Sequence, residues 1–267
     1  MQKLLEFRRG FEELLSLYRY KIEEEIEKSI KKRKELEQNP NSSYILKELL
    51  KLIISGGYRR ETWCSGFERE IELKIGNNFS LDFLNSPEGR KILNTINMHG
   101  NEGKVNNLLD ELRNKTIKEW TEEGYEFIRS GNYKDALKSL GKDAKKSKDI
   151  HLRDVGYFDR IPIDFHEERF LVRTGIFHDC FSNENCDPLD YDTLEEILTK
   201  FSKKYLSDIK LKGFDLGECA GIVDWMIWIH CAERGKNVCA KVPKCFENPN
   251  ACPLFKKACL LSMRIIG

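Results

Sequence analysis

Four cysteines fall within 28 residues, Glu233 to Leu260: Cys239, Cys245, Cys252 and Cys259, with five, six and six residues between them. The stretch is rich in Lys, Asn and Pro and has too few apolar side chains to fold around a core of its own, so another device must fix it. Thiolates at regular spacing would do so by holding one Zn²⁺ or an iron–sulfur cluster, since both take four cysteines in short, loop-rich segments. Disulfides are the competing chemistry. They need an oxidising compartment, whereas nine cysteines is an odd count and the chain is expected to carry no secretory leader. The metal reading is therefore preferred. The other five, Cys64, Cys180, Cys186, Cys219 and Cys231, are expected to be buried thiols, with Cys231 the one best placed to replace a nominated ligand.

The elements that must position this stretch read as helices. Residues 2–38 carry Leu4, Phe7, Phe11, Leu14, Leu15, Tyr18 and Ile22 at three- and four-residue steps, followed by a charged run whose Glu and Lys residues pair at i,i+4. Asn39 to Ser42 mark a break. From Ser43 to Trp120 the helical pattern continues, interrupted by turn signals at 55–57, 76–78 and 99–103, with a short helix expected at 87–96. Further helices are expected within 115–156, after Pro162, where Asp164 and Glu167 have the form of a capping box, over Tyr191–Tyr205, and over the apolar Phe214–Cys231. Trp225 and Trp228 on that last helix are assigned to the core. The fold class is all-α.

Composition bounds the partners. Lys plus Arg number 45 against 44 Asp plus Glu, a net charge of +1, so any pull toward nucleic acid must come from a local basic face. No apolar run has the length of a membrane span, and the protein is expected to be intracellular, in the cytoplasm and in contact with the nucleoid, with no membrane partner and as a monomer.

The segment Ile161 to Ile176, IPIDFHEERFLVRTGI, gives these elements a chemical reading. It resembles the signature of the helix-hairpin-helix DNA glycosylases, in which a helix opens on a catalytic aspartate and continues with His and Arg at +2, +5 and +9; here the matching residues are Asp164, His166, Arg169 and Arg173. Upstream, LGKDAKK at 140–146 stands where that family has its hairpin and lysine nucleophile, which makes Lys146 the matching lysine, eighteen residues before Asp164. Lys145 or Lys148 takes its place if the register is shifted. HLRDVG at 151–156 is similar to the archaeal 8-oxoguanine glycosylase branch, and the Cys239–Cys259 stretch to the iron–sulfur loop of the endonuclease III branch. The hairpin departs from the family: Lys142, Asp143 and Ala144 occupy its Gly-hydrophobic-Gly positions, and the cysteine gaps differ from the family's six, two and five.

The resemblance implies two helical domains with a helix-hairpin-helix motif and a C-terminal cysteine loop, one formed by 45–158 and the other by 1–44 with 159–267, and a cleft between them. It implies a base-excision-repair N-glycosylase with AP-lyase activity on duplex DNA carrying a damaged, oxidised base or an abasic site. Lys146 is the expected nucleophile and Asp164 the carboxylate that assists it. Lys142, Lys145, Lys148, Arg169, Arg173, Lys241 and Lys244 are candidate DNA contacts. Cys239, Cys245, Cys252 and Cys259 are candidate ligands of a 4Fe-4S cluster, zinc being the alternative. A non-catalytic iron–sulfur DNA-binding protein of the same fold and a mismatch-specific glycosylase remain as alternatives. His166 is read as structural.

Overall fold

The computed structural model describes residues 2–55, 60–132, 145–176, 190–232, 235–255 and 257. Among them the regular structure is eleven helices, three short 3-10 turns and one pair of two-residue strands, so the chain is mostly helical. No helix among the described residues is long and apolar enough to cross a membrane. Contacts divide the chain into two units, one of Met1–Lys28 with Tyr157–Gly267 and one of Ser29–Gly156.

Helix α1 (Gln2–Gln38) runs through that division. Phe11, Leu14, Leu15, Tyr18, Ile22 and Ile26 recur at helical spacing and are buried, whereas the outer face carries the pairs Arg19–Glu23 and Lys28–Glu24. The resemblance placed the boundary at 44/45, and the contacts change hands at 28/29. The reason is visible in Leu36, which is buried in the core of the second unit.

In the Ser29–Gly156 unit, α2 (Ser43–Ile54) is capped by Ser42 and buries Ile45, Leu46, Leu49, Leu50 and Ile53. It is followed by α3 (Arg60–Lys74), α4 (Leu81–Asn85), α5 (Pro87–Leu93), α6 (Glu102–Glu111), α7 (Ile117–Arg129) and α8 (Lys145–Asp154). Pro87 sits in the first turn of α5, where its missing N–H costs nothing. A reciprocal capping box of Thr116 and Glu119 starts α7. One apolar core, with Phe67, Leu108, Leu109 and Trp120 among its members, holds these helices together.

In the other unit, α9 (Phe165–Thr174) packs on α11 (Ala220–Cys231), with α10 (Tyr191–Tyr205) beside them. The early part of α1 joins this core through Phe11, whose ring meets Phe201 edge-on at 5.5 Å between centroids. The apolar run beginning at Phe214 is not one helix. Phe214–Asp215 pairs antiparallel with Lys210–Leu211, through a turn whose Lys212 (φ 49°) and Gly213 (φ 88°) are both left-handed, as a two-residue hairpin requires. Helix α11 starts only at Ala220 and buries Trp225; Trp228, expected in the core, is instead 39% exposed.

Candidate functional site

The lysines of α8 have three different surroundings. Lys146 is half-buried, the Nζ of Lys145 is buried, and Lys148 is buried along its whole length, 1% exposed. Lys148 lies across the face of Trp120, with Nζ 3.0 Å from the ring centroid and 3.5 Å from the Trp120 carbonyl. Gly124 on α7 makes the room: a Cβ there would stand 2.1 Å from Lys148 Cε. Burial outweighs the attraction of Glu111 and Glu123 and holds this amine well below its ordinary pKa. One turn on, His151 is buried too, its Nε2 sharing a 2.9 Å hydrogen bond with Thr121 Oγ1, and burial reinforced by Lys148 keeps it neutral. Lys142 lies outside the described residues, with most of the 140–146 hairpin.

Asp164 is where α9 begins. Its carboxylate accepts the His166 N–H at 2.7 Å, while Glu167 Oε2 accepts the Asp164 N–H at 2.8 Å, so the sequence-level capping box is present. The left-handed Gly175 (φ 77°) closes the helix. Asp164 is half-buried, whereas Glu167 and Asp224, which faces it from α11, are 1% and 2% exposed. Burial first, then the neighbouring Asp224 and Asp164, push Glu167 well above the usual carboxylate range. His166 is buried, its ring 4.0 Å from that of Phe165.

Arg169 and Arg173 point their donors at the start of the cysteine stretch. Arg169 Nη1 donates to the Cys239 carbonyl at 3.3 Å, and Arg173 donates to the carbonyls of Ala240 (2.6 Å) and Lys241 (3.1 Å) and lies 3.5 Å from Cys239 Sγ. The stretch is also tied to the end of α11, because the Val238 and Cys239 amides donate to the His230 carbonyl. A Cβ at Gly235 would stand 2.2 Å from the Ile229 carbonyl, so the chain passes that helix end too closely for any side chain. Lys241 and Lys244 are exposed on the outside of the stretch.

Behind these ties Cys239, Cys245, Cys252 and His230 line one cavity of about 10 Å³, the room of roughly one water-sized sphere, floored by Phe170 and Leu254. The Cys239 thiol is lowered to about 6 by the neighbouring Cys231 thiol and by Arg173, while burial pushes Cys231 up. His230, fully buried, shares a 2.9 Å hydrogen bond between Nδ1 and Tyr18 Oη, and its buried Nε2 has no hydrogen-bond partner. A buried polar atom left in that state costs about 1–3 kcal/mol. Among the described residues no three His, Cys, Asp or Glu side chains already stand gathered at ion-binding distance. Cys259 lies outside the described residues, as do Cys180 and Cys186. Of the cysteines expected to be buried, Cys231 is, whereas Cys64 and Cys219 are half-buried.

The structure therefore brings Arg169, Arg173, Cys239, Cys245 and Cys252 together, and gathers Lys145, Lys146 and Lys148 on one helix. Lys146 and Asp164 fall in different units. Sequence reasoning missed His230, Glu167 with Asp224, and the burial of Lys148; a histidine in the last turn before a cysteine loop was the one signal at hand. No family model, curated protein or solved structure matches the chain.

Proposed function

We propose that this protein is a base-excision DNA N-glycosylase with AP-lyase activity, acting on duplex DNA that carries a damaged, oxidised base or an abasic site. The observation that carries the reading is Asp164: a half-buried carboxylate at the first position of a helix, held by a backbone N–H, with His166, Arg169 and Arg173 following at the spacing the sequence resemblance requires. An enzyme of this kind takes the nucleotide out of the stack before attacking its glycosidic bond. Lys146, as the neutral amine, would form a bond to C1′ while the bond from C1′ to the base breaks and the base leaves with a proton. Asp164 would stabilise the positive charge that develops on the sugar. Loss of the second amine proton and opening of the sugar ring give the Schiff base, from which β-elimination expels the 3′ phosphate.

Lys146 is preferred to its neighbours on access. Lys148 is enclosed between Trp120 and Gly124, the Lys145 Nζ is buried, and Lys146 is half-exposed. The cysteine stretch is read as a thiolate-held metal centre that stiffens a DNA-facing loop carrying Lys241 and Lys244, with an iron–sulfur cluster or zinc as its occupant. Borohydride trapping on a duplex with an abasic site tests the chemistry. The expected result is a covalent adduct with wild type, lost in Lys146→Ala, and base release slowed at least ~10²-fold in Asp164→Asn. An adduct that survives Lys146→Ala removes the lysine from its role. DNA binding with no adduct from wild type favours the non-catalytic alternative.

A further inference from the structure

We propose that Glu167 and Asp224 are positioning residues for Asp164: a carboxyl pair enclosed between α9 and α11, joined by one shared proton, that holds the first residue of α9 by its backbone N–H. The pair's role rests on the one proposed for Asp164, and it gives that site a limit in alkali that Asp164 and Lys146 do not themselves impose.

The two oxygens of Glu167 have different surroundings. Oε2 accepts the Asp164 N–H at 2.8 Å. Oε1 is buried, and among the described residues no amide, hydroxyl or cationic group donates to it. What faces Glu167 from α11 is a second carboxyl, Asp224, within hydrogen-bonding reach and 2% exposed against 1% for Glu167 itself. Two carboxylates so placed have no proton to give each other, and out of water their charges repel. One proton between them turns the contact into a short charge-assisted hydrogen bond: Glu167 donates from Oε1 to Asp224, and Oε2 still accepts the Asp164 N–H.

Capping alone does not call for this burial. The box that starts α7 is built from Thr116 and Glu119 in the same way, and Glu119 stands exposed in water, held below its ordinary range by the Thr116 N–H. Around Glu167 the neighbours favour the protonated form instead, burial first and then the carboxyls of Asp224 and Asp164. Two turns along α11, Cys231 is pushed up mainly by burial and its bond to Cys239, and feels the opposed charges of Glu167 and Arg169. Arg169 itself is bound to the Cys239 carbonyl, and on α10, which also packs on α9, Glu195 lies 3.6 Å from Arg160. The Asp164 carboxylate accepts the His166 N–H at 2.7 Å, so the residue is held at both its side chain and its amide. When the shared proton leaves, two buried charges push apart and the hold on the amide is lost. Alkali favours both the Asp164 carboxylate and a neutral lysine amine, so a fall in rate there has to come from the pair.

The test joins infrared spectroscopy of the full chain without DNA to single-turnover base release from a duplex carrying 8-oxoguanine or thymine glycol, whichever wild type releases. Wild type is expected to show the C=O band of one protonated carboxyl at about pH 6, where ordinary carboxyls are ionised, and to lose that band and its rate with a common midpoint as pH rises. Glu167→Leu should lower kcat about 10²-fold with KM unchanged. Glu167→Gln, whose amide accepts from Asp164 and donates to Asp224 with no proton to lose, should lack the band, restore most of that rate and remove the alkaline fall. If Glu167→Leu does not fold, the profiles of wild type and Glu167→Gln decide. A wild type without the band or without the alkaline fall overturns the proposal, as does a fall that Glu167→Gln keeps. If the band is present in wild type and absent in Glu167→Gln, but no base is released and no adduct is trapped, the proposed function falls and the carboxyl pair stands.

Discussion

Lys148 and Glu167 are ionisable side chains held where charge is costly, and they bend the stability curve in opposite senses. Burial depresses Lys148, so between its folded pKa and about 10.5 the unfolded chain binds the extra proton; its contribution is complete above that range and lost as pH falls through it. Replacing it with an apolar chain of like volume removes the penalty. Lys148→Met is expected to raise the urea midpoint at pH 7, by about 1–4 kcal/mol in free energy, and to flatten the slope on the alkaline side; a destabilised Lys148→Met would mean that the amine is satisfied where it lies. Glu167 is raised instead, so its contribution is complete below about pH 4.3 and is lost as pH rises through its folded pKa. Glu167→Gln keeps an oxygen to accept the Asp164 N–H and holds no charge. It is expected to match wild type in acid and exceed it in alkali, read from denaturation midpoints between pH 5 and 9. Neither burial was legible beforehand, because a lysine inside KDAKKSKD reads as a solvated face, and only the missing side chain of Gly124, 24 positions away, makes the slot that receives it.

Helices were readable where periodicity, caps and breaks agreed. The bounds of α1 and α10 follow from apolar spacing and flanking polar residues, and the Asp164–Glu167 box from its own motif. The run from Phe214 failed because a continuous apolar segment carries no period that separates strand from helix, while the glycines at 213 and 217 were the usable punctuation. In the hairpin that results, Asp215 Oδ1 accepts the Gly217 N–H, and a Cβ at Gly217 would meet Ser207 at 2.6 Å. Gly124 offers a test of how α7 and α8 pack. Alanine in place of an interior helical glycine ordinarily stabilises by about 0.5–1 kcal/mol. Here the new methyl would collide with Lys148 Cε and Nζ, at 2.1 and 2.3 Å, and overpacking of that kind costs about 1–3 kcal/mol. Gly124→Ala is therefore expected to destabilise the wild type and to stabilise a Lys148→Ala background. Additivity between the two changes, measured by a double-mutant cycle, would refute the contact.

At the scale of the whole chain the charge is nearly balanced, and the ion pairs on α1 show where much of it goes: Arg19 to Glu23, Lys28 to Glu24 and Glu25, each within one helix face. On the proposed function, affinity for DNA would come from a few local cations, and the described candidates are of two kinds. Lys241 and Lys244 are exposed, on a stretch whose backbone Arg169 and Arg173 hold from within. The arginines matched the resemblance by spacing alone, which could not distinguish a phosphate contact from a bond to the chain's own carbonyls. The difference is measurable, because each phosphate-bound lysine contributes about 0.9 to the slope of log K against log salt. Lys241→Ala and Lys244→Ala are each expected to lower that slope by about this amount and to weaken binding alike on all sequences. Arg173→Gln is expected to leave the slope unchanged and to lower the denaturation midpoint instead, since its guanidinium holds two loop carbonyls beside Cys239. A reduced slope in Arg173→Gln with an unchanged midpoint would return that arginine to the proposed DNA interface and leave the cysteine loop to be held by Arg169 and the α11 end.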